Sequence, residues 1–313
     1  MKNYSSFQGV VIQATGSWYN VLHEGVTHKC RIRGRLRLKG VRSTSPVVVG
    51  DMVNCEAEDE SNESFVICGV EPRRNYIIRR ASNLSKESHI IGANIDRAVI
   101  VATLFSPETP TEFIDRFLVT CEAYKVPATI ILAKIDLARA AAPEAVEEFR
   151  AVYESAGYEV LEVSATQGIG VDRVADMLHN HTTLISGNSG VGKSTLIKAI
   201  EPTLEIRTGE ISASHNKGKH TTTFSTMYPL TSGGYIIDTP GIKGFGLLDI
   251  DDDELWHYYP EMMAYGADCQ FYNCTHTHEP KCAVRNAVER GEIAYPRYES
   301  YLKILDEDDK YRK

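Results

Sequence analysis

One glycine-rich string in this sequence offers recognisable chemistry. Residues 187–194 read Gly-Asn-Ser-Gly-Val-Gly-Lys-Ser and fit the pattern G-x-x-x-x-G-K-S/T in full. Glycines let backbone N–H groups turn inward around phosphate oxygens, and the N-terminus of a following helix adds partial positive charge. Lys193 can reach the β- and γ-phosphates of a nucleotide, and the Ser194 hydroxyl can ligate Mg²⁺. We therefore expect a nucleotide to bind here, through Asn188, Ser189, Gly190, Val191, Gly192, Lys193, Ser194 and Thr195.

A second loop can complete the phosphate end of such a site. Residues 238–241 read Asp-Thr-Pro-Gly and follow an apolar stretch, 235–237, that predicts a strand. In enzymes with this kind of glycine loop, an acid at a strand end holds the Mg²⁺ shell, and the next glycine donates its N–H to the γ-phosphate. We expect Asp238 and Gly241 to take these two roles.

Two further strings offer contacts to a guanine base. Guanine presents N1–H and N2–H₂ side by side, so that one carboxylate can accept both hydrogen bonds. Lys134 and Asp136 directly follow the apolar residues 128–133, and Ser164 and Ala165 follow the next predicted strand. These are the residues expected at the base. Both strings precede the glycine string, whereas the usual order places them after it.

The segment between the glycine string and Asp238 is suited to the hydrolytic step. Residues 216–223 read Asn-Lys-Gly-Lys-His-Thr-Thr-Thr, a basic and hydroxyl-rich stretch that γ-phosphate and Mg²⁺ could order. One threonine is expected to ligate Mg²⁺ when GTP is bound, and we favour Thr222, with Thr221 next. Residue 242 is Ile rather than the Gln that orients water in many GTPases. Another group must therefore position the water.

Three cysteines and a histidine are concentrated within 14 residues of the C-terminal part. Four such ligands fit a closed tetrahedral zinc site that is structural rather than catalytic. His278 is the alternative imidazole ligand. A disulfide framework is not expected in a cytoplasmic chain of this size. The predicted zinc ligands are Cys269, Cys274, His276 and Cys282.

Length and composition exclude several classes of protein. The chain has 313 residues, of which 42% are hydrophobic and 24% charged, which is typical of a soluble protein with two or three domains. The longest apolar run, near residues 98–105, is far shorter than the ~20 residues that cross a bilayer. The N-terminus lacks the apolar stretch of a signal peptide. We expect a cytoplasmic monomer with no membrane partner.

The N-terminal part carries an unusual alternation of cations. Residues 1–80 contain 12 Lys and Arg against 8 Asp and Glu, whereas the remainder contains 22 against 34, and the whole chain has a net charge of −8. On a strand, alternate positions share one face, which here would be a solvated face or a nucleic-acid contact. The stretch 28–42 has cations at Lys29, Arg31, Arg33, Arg35, Arg37 and Lys39. We assign RNA contact to Arg31, Arg33, Arg35 and Arg37.

Two patterns of predicted strands and helices indicate the architecture that must position these groups. Residues 1–75 predict about five short strands, among them 9–13, 17–22 and 47–55, and so a small OB-type barrel. From about residue 90, strands at 97–104, 128–133, 159–163, 183–186 and 234–238 alternate with helices at 111–124, 142–157, 172–180 and 195–200. This alternation predicts a parallel sheet covered on both faces. The tail after residue 250 has a mostly helical pattern.

The order of the motifs resembles that of the circularly permuted GTPases of the RsgA family. The chain carries A-K-I-D at 133–136, S-A-T at 164–166, the glycine string, H-T-T-T at 220–223 and D-T-P-G at 238–241, followed by the Cys/His cluster. The resemblance covers nearly the whole chain. It implies a multidomain α/β protein with an N-terminal OB-type β-barrel over 1–75, a circularly permuted P-loop GTPase domain over 76–248 and a C-terminal helical zinc-binding segment over 249–313.

The resemblance also implies an activity and a partner. GTP would be hydrolysed to GDP on the small ribosomal subunit and its rRNA, late in the assembly of that subunit, and the subunit would stimulate turnover. His220 occupies the position of the family's histidine before the threonines, which implies that it acts on the water once the partner orders the loop. The four zinc positions are the same as those predicted from spacing.

One position departs from the family pattern, and two rival functions stay open. Ala133 stands where the family has Asn, a side chain that ties the guanine site to the phosphate loop and touches the base. One rival is a P-loop ATPase or small-molecule kinase, against which Asp136 and the Ser164-Ala165 turn argue. The other is a non-catalytic RNA-binding module in which the nucleotide is only a structural ligand, a function to which Ala133 gives some weight.

Overall fold

Five N-terminal strands close into a barrel in the computed structural model, which describes residues 5–32, 46–58, 64–80, 88–204, 225–238, 250 and 253–311. The pairing order is β1-β2-β3-β5-β4, and β4 pairs back to β1. The β3–β5 pair is parallel and the others are antiparallel. The OB-type barrel is therefore confirmed. Its strands are β1 (Ser6–Ala14), β2 (Tyr19–His23), β3 (Val26–Ile32), β4 (Met52–Ala57) and β5 (Phe65–Val70).

The predicted strand at 47–55 is wrong in its first half. Strand β4 begins only at Met52, and the backbone before it turns at Gly50, which has a φ of 88°. A Cβ at Gly50 would lie 2.1 Å from the Ala93 carbonyl oxygen, so that glycine is required there. The valines at 47–49 are buried although they belong to no strand. An apolar β-branched run thus marks burial here rather than strand pairing.

A hairpin connects the barrel to the second part of the chain. Its strands are β6 (Tyr76–Arg80) and β7 (Ser88–Ala93), which pair antiparallel. The Arg73 guanidinium beside the start of the hairpin donates to the buried Asp51 carboxylate of the barrel at 2.6 and 2.7 Å. These contacts fix the barrel against the hairpin.

Six strands form the predicted α/β sheet, in the order β10-β9-β8-β11-β13-β12. All adjacent pairs are parallel except β12–β13, which is antiparallel and was not predicted. At its outer edge β12 pairs with barrel strand β1 through Gln13 and Thr226, which joins barrel and α/β region in one eleven-stranded sheet. The strands are β8 (Arg97–Ala102), β9 (Ala128–Ala133), β10 (Glu159–Val163), β11 (Thr182–Ser186), β12 (Thr226–Pro229) and β13 (Tyr235–Asp238).

Helices cover both faces of this sheet, as the alternation of elements predicts. On β8, Ile100 packs with Phe117 on one face, whereas Val99 and Val101 pack with Leu196 on the other. Because both faces of the central strand are buried, its sequence is continuously apolar. The helices are α1 (Thr111–Ala123), α2 (Ile135–Ala141), α3 (Pro143–Ser155), α4 (Val171–Leu178) and α5 (Lys193–Ile200).

The C-terminal segment packs its helices against α1. It contains a short 3₁₀ helix (Leu255–Tyr258), then α6 (Pro260–Gly266), α7 (Ala283–Glu289) and α8 (Tyr295–Tyr311). Val119 of α1 shares an apolar cluster with the C-terminal helices. The helical character of the segment is confirmed, while the exact boundaries at 75 and 248 stay predictions. Over the described ranges, no helix combines the length and the apolarity needed to span a bilayer.

Candidate nucleotide site and candidate metal centre

The glycine string forms a turn between strand β11 and helix α5. Gly187, Gly190 and Gly192 have φ angles of 149°, 84° and 104°, which an L-residue adopts only with strain. A Cβ at Gly187 would also lie 2.5 Å from the Val101 carbonyl oxygen. The loop therefore leads into the N-terminus of α5 with the backbone conformation that a phosphate cradle needs.

Lys193 crosses this loop from the first turn of α5. Its ammonium group donates to the carbonyl oxygens of Gly187 and Asn188, the latter at 3.0 Å. Burial lowers the pKa of Lys193, and the Asp238 carboxylate opposes that shift. The amine is thus held where its charge can meet a phosphate.

Asp238 ends β13 beside the glycine loop. It is in register with Ile185 on the parallel neighbour β11, and it is buried. The carboxyl ends of both strands, and the polar residues at those ends, therefore lie at the same edge of the sheet. Gly241, Thr222 and His220 lie outside the described residues, and their roles stay predictions.

The two predicted base-contact strings lie next to each other at that edge. Ala133 at the end of β9 is in register with Val163 at the end of β10. The Asp136 carboxylate accepts a hydrogen bond from the Gln167 side chain at 3.4 Å, and Ser164 is held by reciprocal backbone bonds with Ile169 at 2.9 and 3.0 Å. Residues that α2 and α3 separate in the sequence therefore lie next to each other at this edge, and Ala165 follows Ser164 there.

A loop that the sequence analysis missed contacts both the predicted base-contact residue Lys134 and the glycine loop. Residues 103–110 follow β8, which lies between β9 and β11 in the sheet. The Lys134 ammonium donates to the Ser106 carbonyl, and a Cβ on Gly190 would lie 3.4 Å from Pro107. The Thr109 N–H and the Thr103 carbonyl close the loop with a 2.9 Å bond. The one sequence signal that could have indicated this loop was its position directly after the central strand.

The four predicted zinc ligands converge. Their ligand atoms all lie within 4.8 Å of one another. The Cys269 sulfur lies 3.9 Å from the Cys282 sulfur and 3.6 Å from His276 Nδ1, which is 3.3 Å from Cys282. A tetrahedral zinc with Zn–S bonds of about 2.3 Å holds its sulfurs about 3.8 Å apart. The donor set and its spacing, completed by Cys274, thus fit one zinc ion.

The surroundings of the cluster fix its backbone. Tyr298 and Tyr301 of α8 donate their hydroxyls to the carbonyls of His276 and Thr275, both at 2.6 Å. Burial alone would raise the pKa of Glu279, but hydrogen bonds from Thr275 and backbone N–H groups lower it to about 2. The alternative ligand His278 is exposed and lies outside the cluster.

The cationic stretch is described only at its start. Lys29 and Arg31 are exposed on β3, on the same side of the strand. The Arg31 guanidinium lies 4.7 Å from the centre of the Trp18 ring, and it pairs with Glu58 at 3.1 Å. Arg33, Arg35 and Arg37 lie outside the described residues, so that their RNA contacts stay predictions.

Comparison with family models assigns both large parts of the chain. The family described as RsgA GTPase matches residues 70–248, and the one described as the RsgA N-terminal domain matches residues 8–66. The protein named small ribosomal subunit biogenesis GTPase RsgA from Phocaeicola vulgatus is 52% identical over 308 residues, which cover 97% of this chain and 99% of the relative. Its namesake from Christiangramia forsetii is 49% identical, over 97% of this chain and 98% of the relative.

Two solved structures have the same fold. YjeQ from Thermotoga maritima aligns with a TM-score of 0.77 and 33% identity, over 96% of this chain and 98% of that one. YloQ, described as a circularly permuted GTPase, aligns with a TM-score of 0.72 and 28% identity, over 99% and 97%. These alignments span barrel, α/β sheet and Cys/His cluster alike, and with them the motif order is explained: the chain belongs to the RsgA GTPase family.

Proposed function

We propose that this protein hydrolyses GTP during the biogenesis of the small ribosomal subunit and that the subunit stimulates the reaction. The observation that carries the proposal is the order of the parallel strands. Asp136 follows β9 and Lys193 follows β11, on either side of β8, so that both residues lie at the same edge of one sheet although they are far apart in the sequence. The names of the relatives support the partner, because they describe small ribosomal subunit biogenesis GTPases.

Each residue then has a definite chemical task. The Asp136 carboxylate accepts the guanine N1–H and N2–H₂ groups, beside Lys134 and the Ser164-Ala165 turn. Lys193 and the backbone of the glycine loop neutralise the β- and γ-phosphates. Ser194, Asp238 and Thr222 offer the oxygen ligands that Mg²⁺ prefers, and Mg²⁺ would neutralise charge on the phosphates. Gly241 donates its N–H to the γ-phosphate.

The water needs a separate group, and His220 supplies it. A histidine side chain can orient a water molecule and accept its proton as the water oxygen attacks the γ-phosphorus. The cationic stretch of sequence that contains Arg31, Arg33, Arg35 and Arg37 would hold rRNA phosphates, which brings the subunit to the enzyme. Intrinsic hydrolysis should be slow without the subunit, because a water that His220 does not position reacts slowly.

A turnover assay with purified small subunits tests the proposal. Wild-type protein should hydrolyse GTP faster with subunits than without them, and excess ATP should not compete. His220→Ala should reduce the stimulated rate by about a hundred-fold or more while GTP still binds. His179→Ala is the matched control, because His179 is exposed after α4, at the opposite end of the sheet strands. Absence of stimulation in wild type would contradict the function and favour the non-catalytic module; full stimulated turnover in His220→Ala would contradict the role of His220.

Ala133→Asn should tighten GDP and GTP binding roughly ten-fold, since the amide restores one or two hydrogen bonds of ~1 kcal/mol each. Ala133 is buried at the end of β9, directly before Lys134, and shares an apolar cluster with Val191 of the glycine loop. Titration calorimetry with GDP measures the change, and thermal unfolding checks that the larger side chain is tolerated. An unchanged GDP affinity in a folded variant would refute this account of position 133.

A further inference from the structure

Trp18 lies on the loop between β1 and β2 with 42% of its surface exposed. Hydrogen bonds within the loop fix the backbone at this residue. The Thr15 N–H donates to the Trp18 carbonyl at 2.8 Å, and the Thr15 hydroxyl donates to the same oxygen at 3.2 Å. A large aromatic ring on a fixed turn loses little conformational entropy when a flat ligand stacks on it.

A cation accompanies this ring. The Arg31 guanidinium carbon lies 4.7 Å from the centre of the indole, within the range of a cation–π contact. Arg31 is itself half exposed and donates to the Glu58 carboxylate at 3.1 Å. The guanidinium is thus oriented beside the ring, and the Glu58 carboxylate that it contacts is itself exposed to solvent.

The position of the pair on the barrel points to a nucleic acid. In OB-type barrels, the face of strands two and three and the loop between strands one and two bind oligonucleotides. Trp18 stands on that loop and Arg31 on β3, next to exposed Lys29, which is in register with Asn20 of β2. The chain continues from Arg31 into further alternating cations at 33, 35, 37 and 39. The exposed cations Lys29 and Arg31 therefore favour a polyanion at this face.

We propose that Trp18 and Arg31 form a stacking platform for an unpaired RNA base, with Trp18 against the base and Arg31 on the adjoining phosphate. Stacking of this kind needs a base outside a duplex, because paired bases expose only their edges. Glu58 competes with the phosphate for Arg31 and weakens the site. The proposal rests on the proposed function, since it names the RNA element that the barrel would hold.

Binding measurements on the full-length protein test the platform. The probes are a labelled ten-nucleotide oligouridine, a duplex RNA of the same length and purified small subunits. Oligouridine should quench tryptophan fluorescence in wild type and much less in Trp18→Phe, which retains only Trp256. Trp18→Ala should weaken oligouridine binding about ten-fold, and Trp18→Phe should restore most of it. Val26→Ala, at an exposed position at the start of β3, should change nothing.

Charge variants separate the base contact from the phosphate contact. Arg31→Gln should lower the slope of log affinity against log salt by about one, whereas Trp18→Ala should leave that slope unchanged. Glu58→Gln should tighten binding, a result that a purely structural Arg31–Glu58 pair would not give. If wild type and Trp18→Ala bound oligouridine and subunits with equal affinity, the platform would be overturned. The same conclusion would follow if Trp18→Ala weakened binding of duplex RNA as much as binding of oligouridine. Either result would leave the proposed function intact. Failure of wild type to bind subunits would contradict the proposed function itself.

Discussion

Replacing His276 with alanine should release zinc from the C-terminal segment and unfold its stretch 267–282, whereas His278→Ala should leave metal and fold intact. The two histidines are two positions apart, so that composition and local charge are matched. His276 Nδ1 lies 3.3 Å from the Cys282 sulfur, while the exposed His278 is outside the cluster. Removal of one of four ligands leaves three sulfur ligands that bind zinc more weakly.

The expected loss is large because the stretch 267–282 has few other reasons to fold. Residues 267–282 form no helix or strand, and the cysteines provide the link between the start and the end of this stretch. Structural zinc contributes about 10 kcal/mol or more to the folding of small zinc domains. The ion would therefore take the place of the apolar core that this polar stretch lacks.

Metal content and circular dichroism provide the readouts. We expect one zinc per chain in wild type and His278→Ala, and well below one in His276→Ala. The near-ultraviolet signal should fall in His276→Ala, because Tyr298 and Tyr301 lose the carbonyls that fix their hydroxyls. Full zinc content in His276→Ala, or an equal loss in His278→Ala, would contradict the ligand set.

The nucleotide-binding and metal-binding residues could be predicted because their chemistry requires certain residue types at short, fixed spacings in the sequence. A glycine loop needs its lysine a fixed number of residues along the backbone, and the zinc ligands lie within one 14-residue stretch. The apolar runs before Lys134, Ser164 and Asp238 also placed these residues at strand ends. Parallel strands then bring such ends together without further information.

The contacts that were missed join residues far apart in sequence. Nothing local marks the pairing of Gln13 with Thr226, which links barrel and α/β sheet, because both strands have an unremarkable edge composition. The 103–110 loop contacts Lys134 and Gly190 only through the strand order of the folded sheet. Likewise Asp115, Glu261 and Arg297 are ordinary charged positions in the sequence until α1, α6 and α8 pack together.

Replacing Arg297 with methionine should destabilise the protein by about 3–5 kcal/mol, since removal of one member of a buried ion network leaves the other charges unpaired. Arg297 of α8 is 1% exposed. Its Nη1 lies 2.5 Å from Asp115 on α1, and its Nε lies 2.7 Å from Glu261 on α6. Its guanidinium also lies 4.6 Å from the centre of the Tyr259 ring. The residue therefore joins the C-terminal segment to the α/β region.

Methionine keeps the length and apolar volume of the side chain, so that the loss reports charge rather than a cavity. Without the guanidinium, the buried Asp115 and Glu261 carboxylates lose the cation that both of them contact. Urea denaturation of the zinc-loaded protein gives the free energy of unfolding. A loss below about 1 kcal/mol would show that solvent reaches the network and that the interface does not depend on it.

Asp115→Asn provides the matched contrast and should cost much less. Burial raises the pKa of the Asp115 carboxyl, although Arg297 pulls in the other direction, so that its ionised form is already disfavoured. An asparagine oxygen can still accept from Arg297, and Glu261 alone balances the single positive charge. If Asp115→Asn proved as damaging as Arg297→Met, the network would need both acids ionised. If Asp115→Asn partly rescued Arg297→Met, repulsion between the two carboxylates would be the main cost of losing the arginine.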